Sequence, residues 1–284
     1  MEKIMGMDAG GTLTKCAFFG PDQTLQYTHF PSDSWCELEQ WIKRYSFTDV
    51  YITGGNASKM KERLVSAFPT QMKRHVIHEF AATCNGAAYL LQQKKVVLEN
   101  YVIANMGTGT SIHVVSGDEF KREAGTGIGG GTLLGLGNLL LNESDFASIC
   151  AMSKHGDRNK VDLKVSDIYS GIQSPLAKDL TASNFGKVFQ DFSNNRGAEH
   201  IAVGIQGMIA EVVIVLSIQV AKQHNMEHIL YIGSPLLNNK VLLDMLQSYT
   251  MMLGCTPIFL DVHSHCGAVG ALLQHGKAPS YHNV

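Results

Sequence analysis

The sequence predicts an α/β protein built from two similar halves that face each other across a cleft. Three observations lead there. Glycine is both abundant and clustered, 28 of 284 residues against an average of roughly 7%. A strand–glycine turn–strand unit occurs twice, and strands alternate with helices along the chain.

The elements follow in order. Ile4–Met7, the turn Asp8-Ala9-Gly10-Gly11-Thr12 and Thr14–Phe19 read as strand, turn, strand, with a third strand around Thr24–Tyr27. Leu38–Tyr45 and Ser58–Phe68 have helical spacing, and the strand-like Asp49–Thr53 between them runs into Thr53-Gly54-Gly55. After the strand-like Val76-Ile77, Phe80–Gln93 reads as a helix rich in small residues. Tyr101–Asn105, Met106–Thr110 and Ser111–Val115 repeat the opening unit, with a third strand at Phe120–Arg122. Asp8 and Asn105, which open the two turns, lie 97 positions apart. The glycine run Gly125 to Gly131 leads into a helix over Thr132–Leu141. Further helices are expected at Ser144–Ser153, Val165–Tyr169, Ile201–His224 and Val241–Met252, and a closing one at His265–Gln274. Ile229–Ile232 and Pro257–Phe259 are strands. The first crossing between halves is placed at 92–100, which gives halves 1–95 and 96–284.

Composition narrows the function. Hydrophobic residues make up 45% and charged residues 17%, enough apolar material for buried cores. The net charge is −2 with no block of like charges, so neither nucleic acid nor an anionic membrane is an expected partner. Six cysteines are scattered without a CxxC pair, which reads as reduced thiols in a cytoplasmic protein. The apolar stretch after Met1 is too short for a secretory signal. Ile201 to Ala221 is near the ~20 residues of a bilayer span. It carries Glu211, however, and a carboxylate at mid-membrane costs about 2.5–3.5 kcal/mol. A core or interface helix is the reading taken.

The glycine turns are the first candidates for chemistry. Consecutive backbone N–H groups in such a turn form a concavity for phosphate oxygens. Gly10, Gly11, Thr12 and Thr14 supply donors in one turn, and Gly107 to Ser111 in the other. Lys15 adds a point charge, and Asp8 could hold water or Mg²⁺ beside a phosphate. One such turn alone reads more readily as an ordinary hairpin; the matched pair, with an acid opening the first, favours a polyphosphate. Gly125-Thr-Gly-Ile-Gly-Gly fits G-x-G-x-x-G, but no acidic residue follows at about 20 positions on a second strand, so a dinucleotide site is rejected. A helix opened by glycine nevertheless suits phosphate or ribose.

Glu79, just before the small-residue helix, is the candidate base of a phosphoryl transfer, or else only a helix-end charge. Arg122 could fork onto a substrate carboxylate, or stand exposed beside Lys121. Ser234, in Gly233-Ser234-Pro235, could contact a nucleoside. Phe146 could stack on adenine or be a core residue. His263 and His265 invite a metal reading, but no third ligand joins them.

Together these motifs resemble those of bacterial type II pantothenate kinases, of the actin-like ATPase and sugar kinase superfamily. The resemblance rests on Met7-Asp-Ala-Gly-Gly-Thr-Leu-Thr-Lys15, Ala104-Asn-Met-Gly-Thr-Gly-Thr-Ser111 and Arg122-Glu-Ala-Gly-Thr-Gly-Ile-Gly-Gly-Gly-Thr-Leu-Leu-Gly-Leu136. Asp167-Ile-Tyr169 and Gly233-Ser-Pro235 also match it. It implies two actin-like (ribonuclease H-like) domains with a cleft between them. It also implies transfer of the γ-phosphate of MgATP to pantothenate, at the first step toward coenzyme A. Glu79 would be the base, Arg122 a substrate contact, and Asp8 would sit at the Mg²⁺ site, through water. Around ATP it puts Asp8, Ala9, Gly10, Gly11, Thr12, Leu13, Thr14 and Lys15, then Thr108 and Gly109. Gly130, Gly131, Thr132, Leu133, Leu134, Phe146 and Ser234 complete that set. It implies a homodimer with the long apolar helix in the interface.

Two other readings stand beside it. Sugar or N-acetylhexosamine kinases of this fold usually present aspartate as base, so Glu79 counts against them. A non-catalytic nucleotide-binding regulator or filament protein would bind ATP without acceptor-dependent turnover. No helix-turn-helix precedes Asp8, and the chain is short for a filament protein.

Overall fold

Alternation of side chains along the strands assigns each sheet face to its own layer. In the computed structural model, which describes residues 3–70, 72–169, 177–189 and 197–275, β1 (Ile4–Ala9), β2 (Leu13–Phe19) and β3 (Leu25–Pro31) form an antiparallel meander. The chain then crosses through α1 (Trp35–Tyr45) to β4 (Asp49–Thr53), and through α2 (Ala57–Ala67) to β5 (Lys73–Val76). Both added strands are parallel to β1, giving the order β3-β2-β1-β4-β5.

α3 (Glu79–Gln93) leads into the second half, where the plan repeats. β6 (Asn100–Met106), β7 (Thr110–Ser116) and β8 (Glu119–Thr126) form the meander. α4 (Gly130–Leu141), α5 (Phe146–Ser153), β9 (Leu163–Lys164), α6 (Val165–Ile168), β10 (Thr181–Ser183) and α7 (Ala198–Gln223) intervene before β11 (His228–Gly233). α8 (Lys240–Met252), β12 (Thr256–Phe259) and α9 (Cys266–Leu272) complete the described chain. The second sheet runs β8-β7-β6-β11-β12, the same order and directions as the first. The matched halves expected from the two glycine turns are therefore present.

Met5, Met7, Val50 and Ile52 point from the first sheet onto Leu38, Ile42, Met60 and Leu64 of α1 and α2. Val102, Ala104, Ile229 and Tyr231 point from the second sheet onto α7 and α8. The inner faces meet at α3 and α9, where Ala87, Leu91, Ala268 and Val269 pack with Ile103, Leu230 and Ile232. The small residues of α3 serve that joint. A Cβ on Gly86 would lie 1.9 Å from the Cys266 carbonyl oxygen, and one on Gly270 would lie 1.7 Å from that of Ala82.

α7 has the length and apolarity of a membrane span, yet 67% of its most apolar window is buried inside the protein. Its one interior charge is matched: Arg158 Nη2 donates to Glu211 Oε1 at 2.8 Å, while Arg158 Nε donates to Asp162 at 2.6 Å.

Two local features were not read from the sequence. Ser234-Pro235-Leu236 forms a single 3-10 turn, and the helix begins only at Lys240, where Asn239 Oδ1 caps the Leu242 N–H. The short β9–β10 ribbon carries no strand-like run long enough to be read from sequence. α5 starts at Phe146 because Asp145 accepts the Ser148 N–H and ends the preceding loop.

Candidate active site

The two glycine turns close the ends of β1 and β6, the first strands of the two meanders, so the shared topology brings them face to face. A Cβ on Gly11 would stand 3.0 Å from Thr108 Oγ1, so the turn tips touch. They stand over a cavity of about 830 Å³ lined from both halves. That is the size of a small-molecule site.

On the first half, Asp8 is opposite Lys15 in the β1–β2 ladder, and Lys15 is opposite His29 in β2–β3. Directly opposed residues share a face, so the three form a row into the cavity. Lys15 Nζ lies 3.2 Å from Asp8 Oδ2. Gly54, at φ +93°, leaves room for that carboxylate; a Cβ there would meet Asp8 Oδ1 at 2.5 Å. The turn itself is braced by Ser32 and Asn56, whose side chains donate to the Gly10 carbonyl at 3.0 and 2.9 Å.

Glu79 opens α3 and is half-buried in the same cavity, with Phe80 and Thr83 beside it. Burial, then the Asp8 carboxylate, push its pKa above the usual glutamate value; Lys15 and His78 partly offset them. A carboxyl raised in this way holds a proton more readily than a surface glutamate.

On the second half, a bulge between Ile112 and His113 sets Arg122, rather than Glu123, opposite His113. Arg122 then lies over the Phe80 ring, 5.9 Å from its centroid, and pairs with no carboxylate among the described residues. Beside it Ser111 lines the cavity and its Oγ is 2.9 Å from His113 Nε2. Burial, then Arg122, bring His113 down to about 4.

The other end of the cavity is formed by Gly130 and Leu134 of α4, Phe146, Ala147, Cys150 and Lys154 at α5, and Ser234 and Asn238. The α4 N-terminus is not open to a ligand here. The Gly130 and Gly131 amides donate to the Gly107 and Thr108 carbonyls at 2.8 and 2.9 Å. Thr132 closes its own cap, accepting the Gly129 N–H and donating to the Gly127 carbonyl.

Of the residues singled out from sequence, Asp8, Gly10, Gly11, Thr12, Leu13, Lys15, Glu79, Thr108, Gly109, Arg122, Gly130, Leu134, Phe146 and Ser234 line this one cavity. Ala9 and Leu133 are core residues, 1% exposed each, and Thr14 is buried at 2%. Gly131 and Thr132 pack on the second turn and the cap. Asp167 caps α6 at Lys164 N–H and pairs with Lys187, away from the cavity lining. Sequence reasoning missed His29, Phe80, Thr83 and Lys154. Thr83 was legible as one helical turn beyond Glu79, and Lys154 as the cation at the end of a helix opened by Phe146; His29 had no local signal.

His263 and His265 hold backbone rather than each other: His263 Nδ1 is 3.1 Å from the Gly233 carbonyl, and His265 Nε2 is 3.2 Å from that of Thr28. No group of three metal-ligating side chains occurs among the described residues. Mg²⁺ is commonly held by one or two carboxylates plus waters and phosphates. Asp8, oxygen-bearing and cradled at Gly54, fits that donor set.

Comparison with known proteins gives a consistent picture. A family profile called Fumble matches residues 23–274. A type II pantothenate kinase of Bacillus cereus is 42% identical over 278 residues, 98% of this chain and 100% of its own length. One from Staphylococcus aureus is 35% identical over 268 residues, covering 94% and 98%. Among solved structures, the activator of 2-hydroxyisocaproyl-CoA dehydratase from Clostridium difficile, with bound ADPNP, superposes with a TM-score of 0.63 at 16% identity, covering 98% and 100%. A glucokinase of Streptomyces griseus with glucose and AMPPNP gives 0.55 at 10% identity, covering 95% and 98%. At such identities the structures speak for the fold alone, the actin-like ATPase fold.

Proposed function

The chain belongs to the Fumble family of type II pantothenate kinases, and on that premise we propose that the cavity transfers the γ-phosphoryl group of ATP to the primary hydroxyl of pantothenate. The observation that carries the reading is the setting of Glu79. It stands in one cavity with the Asp8–Lys15 pair on one side and the unpaired Arg122 on the other.

Phosphoryl transfer asks the protein chiefly to position the reactants and to neutralise charge. Lys15 and the free amides of the two turns face the phosphates. Arg122 takes the pantothenate carboxylate, and its stacking on Phe80 fixes the plane of the fork. The hydroxyl at the other end of pantothenate then lies toward Glu79, which accepts its proton as the oxygen attacks phosphorus. Asp8 would hold Mg²⁺ through water, and the ion would supply charge neutralisation on the phosphate oxygens. Phe146 and Ser234 face the nucleoside. The enzyme works in the cytoplasm as a homodimer, without nucleic acid or membrane, and the outer stripe of α7 is the dimer face.

The test is ADP release from MgATP with and without pantothenate. Strong stimulation by pantothenate is the expected result; stimulation by hexoses instead would transfer the protein to the sugar kinases. Glu79→Gln should keep nucleotide affinity and lose turnover by about 10²–10⁴-fold. A base must be ionised, so wild-type kcat/KM falls as pH drops through the Glu79 pKa. That limb should sit above the ordinary glutamate value of about 4.3, and retained turnover in the glutamine variant would remove Glu79 as base.

A further inference from the structure

His113 has no part in the chemistry above, yet it is wholly buried and tied to a side chain that lines the cavity. Its solvent exposure is 0%, and its ring stands edge-on to Phe80 with centroids 4.9 Å apart. Its Nε2 is 2.9 Å from Ser111 Oγ, while its Nδ1 has no hydrogen-bond partner among the described residues. Ser111 is two residues earlier on β7 and so on the same face, and across the bulge His113 is opposite Arg122.

The two nitrogens settle where the ring proton goes. Burial and the neighbouring Arg122 charge both disfavour the imidazolium, so the ring is neutral and carries one proton. On Nδ1 that proton would be a buried donor with no acceptor, which folded proteins seldom tolerate, whereas an unmatched acceptor lone pair is more often found. On Nε2 it meets the serine oxygen. We propose that His113 is a positioning residue that donates Nε2–H to Ser111 Oγ and so leaves the Ser111 hydroxyl proton to donate to an oxygen of the acceptor substrate beside Arg122. A serine hydroxyl can act either way; with the imidazole bonded to it, this one is a donor into the cavity. The site would therefore select an acceptor bearing a second hydrogen-bonding oxygen near its carboxylate, not merely a carboxylate. This inference rests on the pantothenate kinase reading of the cavity.

The test has an arm independent of activity. In a long-range ¹H–¹⁵N spectrum of ring-labelled protein, assigned with a His113 variant, the proton should sit on Nε2; a proton on Nδ1 would overturn the proposal. In steady-state kinetics, Ser111→Ala should raise the KM for pantothenate roughly tenfold, the scale of one lost hydrogen bond, with the KM for ATP held within about twofold. His113→Leu should match that rise, and His113→Gln, whose amide can still donate, should largely reverse it. The double variant Ser111→Ala/His113→Leu should be no worse than either single one. Equal losses for ATP and pantothenate, or additive losses in the double variant, would make His113 a packing residue only. Absence of any pantothenate-stimulated turnover in wild type would instead fail the reading of the reaction, and the nitrogen spectrum would still decide the tautomer.

Discussion

Arg122 reaches the cavity because β8 carries one residue more than β7 can match, and because the residue three positions on is glycine. A Cβ on Gly125 would stand 2.1 Å from Arg122 Nη2. The nearest obstacle is the far end of a flexible side chain, with the Thr110 carbonyl oxygen next at 3.1 Å, so the larger part of the cost of Gly125→Ala falls on the position of Arg122. Gly125→Ala should therefore raise the KM for pantothenate by about an order of magnitude, as loss of a charge-assisted hydrogen bond would. Its melting temperature and its KM for ATP should stay near wild type; an unchanged pantothenate KM would mean that the guanidinium does not hold the substrate. The neighbouring residues divide cleanly by what sequence can reveal. Asp8, Lys15 and the two turns were legible because glycine, threonine and a terminal acid make a local pattern. His113 and His29 were not, because their importance comes from strands paired across the sheet. A one-residue bulge, which decides whether Arg122 or Glu123 faces inward, leaves no trace in periodicity.

At the scale of elements, the reading of α7 turned on a single charge. Glu211 argued against a bilayer from sequence, and its partner explains how a core helix carries it. Arg158 is 8% exposed and joins Asp162, which is wholly buried, to Glu211, Thr181 and Asn184. Tyr249 of α8 accepts a further bond from Arg158 Nη1, so the network ties the short turn at Arg158–Lys160, the β9–β10 ribbon, α7 and α8 together. Removing the cation leaves the Asp162 carboxylate buried, and that of the partly buried Glu211 beside it, without the charge they share. Arg158→Met should destabilise the protein by about 3–5 kcal/mol in urea unfolding, the cost of breaking a buried pair from one side. Glu211→Gln should cost less, since its amide oxygen still accepts from Arg158 and the Asp162 pair survives. Nearly equal losses would show that Glu211, not Arg158, is the centre of the network. The helix itself was legible from its apolar run; its partners were not, because Arg158 and Asp162 sit in a short turn whose direction only tertiary packing sets. The same limit hid the reason for the small residues of α3. Their composition marked a helix, but only the approach of Gly86 and Gly270 shows that two helices, one after each sheet, cross backbone to backbone.

For the whole molecule, the layers leave an apolar stripe of α7 without cover among the described residues. α7 packs its inner side on the second sheet, while Val212 and Val215 remain 37% and 51% exposed, flanked by the partly exposed Met208 and Leu216. Met208, Val212 and Val215 follow one another at spacings of four and three, and Leu216 lies four beyond Val212, so they form a single stripe rather than scattered surface residues. A stripe of this kind suits a second copy of the chain, and a two-fold pair would set it against itself. Each substitution then enters the interface twice. Val215→Glu brings two carboxylates toward each other in place of two valines, and neither has a cation of its own stripe to meet. The wild-type protein should run in light scattering at about twice the 31.0 kDa of one chain, and Val215→Glu should run near one chain mass with its far-UV spectrum unchanged. Because the residue is exposed in the single chain, loss of folding is not the expected outcome. A wild-type protein that is monomeric at micromolar concentration, or a dimer indifferent to the glutamate, would place the interface elsewhere on the surface. If dissociation also weakens pantothenate turnover while ATP binding persists, the acceptor end of the cavity depends on the partner copy.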